Sequence, residues 1–216
     1  RTTCFAGLVL WAFGGLFGST PPVISPASPV TTALEDVAYS YDFNVTDPDV
    51  PVAGLVAYYK FDETAGLTAA DSSGNGHDGV LTNMAGSEWT MGKVGGALNF
   101  DGTNDYVDVG DFELGGATTL SAWVKYDTLK PNAHVIGFGN GPNNHNIRLK
   151  NGASNILQNG EFVIYAPSVK STGFGGFWQN NQWFHVTATV DAGGVMKLYR
   201  DGILVATNTD GHVPST

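Results

Sequence analysis

The sequence predicts an antiparallel β-sandwich, and three observations carry that expectation. Short runs of alternating apolar and polar residues are separated by Gly, Asn and Asp clusters at close spacing. Glycine supplies 29 of 216 residues while charged residues make up only 14%, against norms of about 7% and about 25%. No stretch of ten or more residues keeps a 3.6-residue apolar period without a Gly or a β-run intervening. A helical bundle, a coiled coil and a disordered acidic tail are excluded. The balance of 20 Asp+Glu against 10 Lys+Arg gives a net charge of −10. A phosphate-tracking surface needs clustered Lys and Arg, and these are scattered along the chain, so no nucleic-acid partner is expected. The single cysteine, Cys4, excludes an intramolecular disulfide framework and a Cys-rich zinc site.

Residues 1–20 read as something apart from the fold. An apolar, Gly-containing run from Cys4 to Phe17 is followed by Gly18-Ser19-Thr20-Pro21-Pro22. It has the length of a signal-peptide core and is too short for a membrane span of about 20 residues. The competing reading is a short apolar strand or helix of a preceding domain. Read as a leader, the segment is expected to be cleaved or to make few contacts with the sandwich.

Residues 21–53 read as a linker. They hold six of the ten prolines, and proline at that density gives extended, semi-rigid backbone. One alternating strand, Tyr39 to Val45, lies inside it. The stretch from Glu35-Asp36 to Asp47-Pro48-Asp49 resembles the opening of bacterial cadherin-like repeats over about twenty residues.

The main domain is expected over 54–216. Leu55 to Phe61 is its first strand, and Asp71-Ser72-Ser73-Gly74-Asn75-Gly76 is a turn cluster without an apolar residue. Ala97–Phe100 and Tyr106–Val109 flank the turn Asp101 to Asp105. In Thr118–Tyr126, Leu120, Ala122 and Val124 share one face, with Thr119, Ser121, Trp123 and Lys125 on the other. Trp183–Val190 alternates in the same way. Asp201-Gly202 joins Val195–Arg200 to Ile203–Thr207, a strong two-residue hairpin signal.

Six ordered blocks then match a family. Gly54 to Glu63, Asp71 to Gly79 and Gly92 to Gly102 with Asp105-Tyr106-Val107 are similar to the opening half of laminin-G-like, concanavalin-A-like jellyroll domains of bacterial surface proteins. Leu120 to Lys125, Gln182 to Val186 and Leu198 to Gly202 continue the match over about 160 residues. The resemblance implies an all-β, antiparallel two-sheet jellyroll sandwich. It also implies a terminal strand beside the first one, which this sequence does not encode before Thr216. A sandwich lacking that strand would leave Leu55 to Phe61 without a partner, and Tyr39–Val45 is the segment expected to fill the gap in part.

Metal and ligand candidates follow. Asp71, Ser73 and Asn75 with Gly76 match half of a Ca²⁺ loop, but the twelfth position is Thr82 rather than a bidentate Glu, so a structural turn is expected. The better Ca²⁺ candidates are Asn104 and Asp105, with Asp62 as a further carboxylate; the likeness to pentraxins, which share this jellyroll, implies such a loop site. For a sugar, Trp123 and Trp183 stand among Thr, Ser and His185 on the more polar strand faces. They serve either a stacking site or a second core layer. Phe174, Phe177 and Trp178 crowd a Gly-rich loop, either to plug a gap or to meet a ligand. His145 lies in an amide-rich loop, Gly139 to Asn146, and His185 is expected to be structural.

Catalysis is not expected. Glucanases of this fold need paired carboxylates about 5–5.5 Å apart, and Glu35, Glu63, Glu88, Glu113 and Glu161 are isolated from one another. The sequence therefore predicts a non-catalytic extracellular or cell-surface recognition module, binding a glycan or a protein beside further modules of the same chain, with Ca²⁺ as a candidate cofactor. A structural spacer in an adhesin or multi-domain hydrolase is the alternative.

Overall fold

A computed structural model describes residues 3–13, 23–24, 45–46, 54–111, 114–139, 146–153, 158–165 and 168–214; of the first three of these segments it describes the backbone alone. The described residues form strands and turns and no helix, so none of them makes a helix able to cross a membrane. Chain contacts separate two units, one of residues 1–14 with 54–216 and one of residues 15–53.

In the smaller unit the described strands, β2 (Val23–Ile24) and β3 (Val45–Thr46), pair antiparallel. The expected strand Tyr39–Val45 lies, but for its last residue, outside the described residues.

The larger unit opens with β1 (Thr3–Phe13), followed after the other unit by β4 (Leu55–Tyr59), β5 (Thr68–Ala69), β6 (Gly79–Thr82) and β7 (Trp89–Met91). Next come β8 (Gly96–Phe100), β9 (Tyr106–Asp108), β10 (Ala117–Tyr126) and β11 (His134–Gly139). The chain continues through β12 (Asn146–Asn151), β13 (Gly160–Tyr165) and β14 (Val169–Phe174). It closes with β15 (Trp183–Val190), β16 (Met196–Arg200) and β17 (Ile203–Asn208). One large sheet runs β17-β16-β15-β10-β1-β8-β7, with β4 also on β1; the opposing sheet is β11-β12-β13-β14, and β5-β6-β9 forms a small third sheet.

Strand alternation decides which side chains enter the core. Leu120, Ala122 and Val124 of β10 and Phe184, Val186, Ala188 and Val190 of β15 are buried, as their spacing predicts. Ile147 and Leu149 of β12 and Phe162 and Ile164 of β13 join them in a single cluster. The Asp201-Gly202 turn has φ of 52° and 79°, the doubly positive geometry that a two-residue hairpin requires and that Asp-Gly accepts at small cost.

The first strand does not lack a partner. Ala57, Tyr59 and Phe61 are buried, and β4 pairs with β1 at Leu8↔Tyr59, Val9↔Tyr58, Leu10↔Ala57 and Trp11↔Leu55. On the same edge β8 takes Thr3 to Phe5, so β8 and β4 line up end to end along β1. The other edge pairs with β10 from Thr3↔Tyr126 to Phe13↔Ala117. The expectation that residues 1–20 make few contacts with the sandwich therefore does not hold for Thr3–Phe13. An apolar run with β-branched and aromatic residues satisfies its backbone inside a sheet as readily as a leader would elsewhere. The side chains of Leu8, Leu10 and Trp11, and residues 14–20, lie outside the described residues.

Asp71 shows what holds the first turn cluster. Its Oδ1 accepts from the Tyr58 and Ser73 N–H groups, and its Oδ2 from Ser73 Oγ and the His77 N–H. This is a structural Asx turn tied to β4, with its acceptor positions occupied. Burial alone would raise this carboxyl, but the hydrogen bonds from Ser73, Tyr58 and His77 outweigh it and lower it from 3.8 to about 2. A depressed folded value contributes stability that is complete above about pH 4 and lost as pH falls toward about 2. Thermal melts taken across that window should fall steeply, and Asp71→Asn should flatten the fall. Parallel pH profiles for the two proteins would show that Asp71 is not responsible.

Candidate functional site

A cleft of about 600 Å³ opens between the Asp101–Asp105 turn with β9 on one side and the start of β11 on the other. Its floor is continuous with the core: Tyr59, Phe61, Phe100, Tyr126 and Ile136 are buried side chains that also line it. Tyr106, 48% exposed, and Phe138 form apolar walls nearer the mouth. Asp105, Lys130 and His134 bring charge and hydrogen-bonding groups to the lining. Aromatic walls with a few polar groups, in a space of roughly 300–1,000 Å³, suit a small ligand or a protruding side chain.

Local hydrogen bonds hold the cleft's rim. Asp105 Oδ2 accepts from the Asp101 N–H at 2.7 Å, and Asp101 Oδ1 from the Thr103 N–H at 2.7 Å. Lys130 Nζ donates to the Gly102 carbonyl at 2.6 Å, which ties the β10–β11 connection to the turn. At the floor, the Tyr59 hydroxyl donates to the His77 carbonyl and the Tyr126 hydroxyl to that of Ala133 at 3.3 Å. Burial raises both phenols well above their ordinary range, so both stay neutral donors.

Of the sequence-predicted metal residues, Asp105 lines this cleft and Asp62 does not join it. Asp62 Oδ1 accepts from the Gly96 N–H at 2.7 Å, at the opposite end of β8 from Asp101. Five residues of extended chain put those two amides roughly 16 Å apart, far more than the ~5 Å that two oxygens on one Ca²⁺ can span. Asp62 and Asp105 therefore share no ion, a correction to the expected trio; Asp62 instead holds the Gly95-Gly96 turn. Asn104 lies beside Asp105 in the turn, and its carbonyl accepts from Asn83 Nδ2 at 2.8 Å. Among the described residues no three His, Cys, Asp or Glu side chains converge as a metal shell would.

The aromatic loop is also corrected. Phe177 and Trp178 are 0% and 1% exposed. They are core residues and not ligand-facing ones. Trp178 meets Tyr126 edge-on at 5.1 Å and Phe177 at 4.5 Å. The Phe177 ring fills the space over Gly160, where any Cβ would meet it at 2.6 Å. Arg200 donates to the Gly176 and Phe177 carbonyls at 2.9 and 3.1 Å and lies over the Phe174, Phe177 and Phe184 rings. Half-buried Phe174 ends β14 under that guanidinium. The loop plugs a gap, the first of its two readings. His145 lies outside the described residues.

Trp123, Trp183 and His185 stand together on the outer face of the large sheet. Trp123 and His185 are register partners with ring centroids 5.1 Å apart. His185 Nε2 lies 3.0 Å from Ser121 Oγ, which is also 3.0 Å from Thr187 Oγ1. Burial holds the imidazole below its ordinary value, although the Asp201 charge acts the other way. His185 is therefore a neutral, hydrogen-bonded strand residue, and the indoles beside it are half-buried rather than core.

Sequence reasoning missed Lys130, His134, Tyr106 and Phe138. Only their placement across the cleft unites them, since they come from β9, β11 and the β10–β11 connection. The one available signal was Tyr106, an aromatic directly after the acidic turn.

The described glutamates each have a local partner. Glu63 Oε1 accepts from the Ala70 N–H, Glu88 from the N–H groups of Ala85, Gly86 and Ser87, and Glu161 pairs with Lys150 at 2.8 Å. Glu35 and Glu113 lie outside the described residues. Comparison with known families agrees with the architecture: the model of a laminin-G family, described as the concanavalin A-like lectin/glucanases superfamily, matches residues 101–216. No curated protein and no solved structure matches the chain significantly. With more than half of its length covered by that family and an all-β, two-sheet sandwich around it, the chain belongs to the concanavalin A-like lectin/glucanases superfamily.

Proposed function

We propose that this is a non-catalytic recognition module of an extracellular protein, and that it binds a glycan or a protruding protein side chain in the cleft beside Asp105. The observation that carries this reading is the cleft itself: about 600 Å³, aromatic-walled, with Lys130 and His134 among its lining residues. Sugar rings present C–H faces to aromatic walls and hydroxyls to such polar groups. The family is compatible with binding or structural roles, and its glucanase members need a carboxylate pair. The partners already bound by Glu63, Glu88 and Glu161 favour a role without chemistry.

A glycan array probed with the 216-residue chain tests the proposal. Tyr106→Ala is the informative variant, because its ring is exposed at the cleft and its loss should spare the core. It is expected to weaken binding by about tenfold or more without changing the melting temperature. EDTA is expected to leave binding intact, because the turn's carbonyl at Gly102 already holds the Lys130 ammonium and its carboxylates hold backbone N–H groups. Arrays flat for both proteins would leave the spacer role instead.

A further inference from the structure

The lysines that are scattered in sequence are collected by the large sheet onto its outer face. Lys93 Nζ lies 5.8 Å from the Trp123 ring centroid and Lys125 Nζ 5.5 Å from that of Trp183. Register places Tyr58 opposite Val9 and Val9 opposite Ser121, so Tyr58 shares this face, with Lys60 Nζ 5.9 Å from its ring. Three ammonium–aromatic pairs thus occupy one face across β4, β1, β10 and β15. Lys197, opposite Thr189, adds a fourth lysine on the β16 side.

No acidic residue occupies a described strand position of the same face. Its described strand positions are Thr, Ser, Asn, Ala and Val besides the aromatics, His185, lysines and Leu, although the chain as a whole carries −10. Among the described residues the ion pairs are Lys150–Glu161 and Lys170–Asp210, and the lysines of this face are in neither. Carboxylates border it only through backbone N–H groups: Asp71 Oδ1 accepts from the Tyr58 N–H, Asp62 Oδ1 from the Gly96 N–H, and Asp201 Oδ1, in the β16–β17 turn, from the His185 N–H.

We infer that this outer face is a second binding surface, distinct from the cleft, and that its occupant is an extended acidic polysaccharide carrying carboxylates on its sugar rings. Charge complementarity sets the sign of the ligand: ammonium groups without ion-pair partners attract anions where the rest of the molecule repels them. The rings set its class. An indole or phenol face stacks on a sugar's C–H face, and the ammonium beside it pairs with the carboxylate on the same ring. The hydroxyls of Thr119 and Thr187 lie between these positions and can exchange hydrogen bonds with sugar hydroxyls. The surface is a sheet face rather than a pocket, and Tyr58 stands about 10 Å from β10 across β1. Such a surface suits a polymer of several linked rings rather than a compact ligand. A sparsely charged polymer also suits a strongly acidic protein better than a nucleic acid, whose charges are about 1.7 Å apart.

Native affinity electrophoresis of the full chain tests this, in gels containing polygalacturonate, neutral dextran, polyglutamate or oligo(dT). Polygalacturonate is expected to retard the protein and the other three are not, and added salt should abolish the retardation. Lys93→Gln with Lys125→Gln should weaken retention about tenfold, with the melting temperature unchanged. Tyr106→Ala in the cleft should leave retention as it is, so this face can fail or succeed independently of the cleft. Equal retention by dextran, retention by polyglutamate or oligo(dT) in place of polygalacturonate, or an unaffected lysine double variant would overturn the inference.

Discussion

Removing residues 1–13 is expected to abolish cooperative unfolding of the sandwich. Strand β1 lies inside the large sheet, paired with β10 over its whole length on one edge and with β8 and β4 on the other. Its loss would expose two rows of backbone donors and acceptors in the middle of that sheet, not at a border adapted to solvent. A net contribution near 1 kcal/mol per lost hydrogen bond, over a strand of this length, is comparable with the roughly 5–15 kcal/mol that stabilises a whole domain. Urea titration followed by tryptophan fluorescence should give a single transition for the full chain and a broad, early one for the shortened chain. Adding a peptide of residues 3–13 should restore part of the transition. Identical curves would mean that the sandwich does not depend on β1. The result also bears on the leader reading, since a segment removed by processing cannot complete the sheet of the mature protein.

Trp178→Ala should be the most damaging single substitution tested. Among the described residues Trp178 is the largest fully buried side chain, packed against Tyr126, Phe177 and Phe184. Truncating such a residue costs about 3–5 kcal/mol through lost burial and the cavity left behind. For a domain of this size that corresponds to a fall of roughly 6–20 °C in melting temperature. Trp178→Phe should cost much less, because it keeps most of the ring and removes an indole N–H that has no hydrogen-bond partner among the described residues. An unchanged melting temperature in Trp178→Ala, accompanied by lost ligand binding, would return this residue to the role of ligand contact.

The alternation in β10 and β15 was legible because a strand has a fixed two-residue period, so the buried set follows from order alone. The Asp-Gly hairpin was legible because its φ values suit few residue pairs. The opposing sheet, β11 to β14, was not assigned from sequence. Asn146–Asn151 offers only two alternating apolar residues, Ile147 and Leu149, and Phe162-Val163-Ile164-Tyr165 is a short unbroken apolar run, which periodicity alone does not assign. In the candidate metal site, Asp105 follows a turn and Asp62 ends the first strand, and no local pattern says whether the two meet. Their separation along β8 became visible only in the fold.

By itself the sequence determined the fold class, the strands with clean alternation, the turn at Asp71 and the chain's acidic balance, because each depends on local periodicity, turn chemistry or a simple count. The tertiary structure alone decided that Thr3–Phe13 completes the large sheet, that Phe177 and Trp178 fill the core, and that Lys93 and Lys125 share one face with Trp123 and Trp183. The physical reason is that sheet neighbours in this fold come from distant parts of the chain. Pairing across β4, β1, β10 and β15 sets which side chains meet, and no local pattern records it.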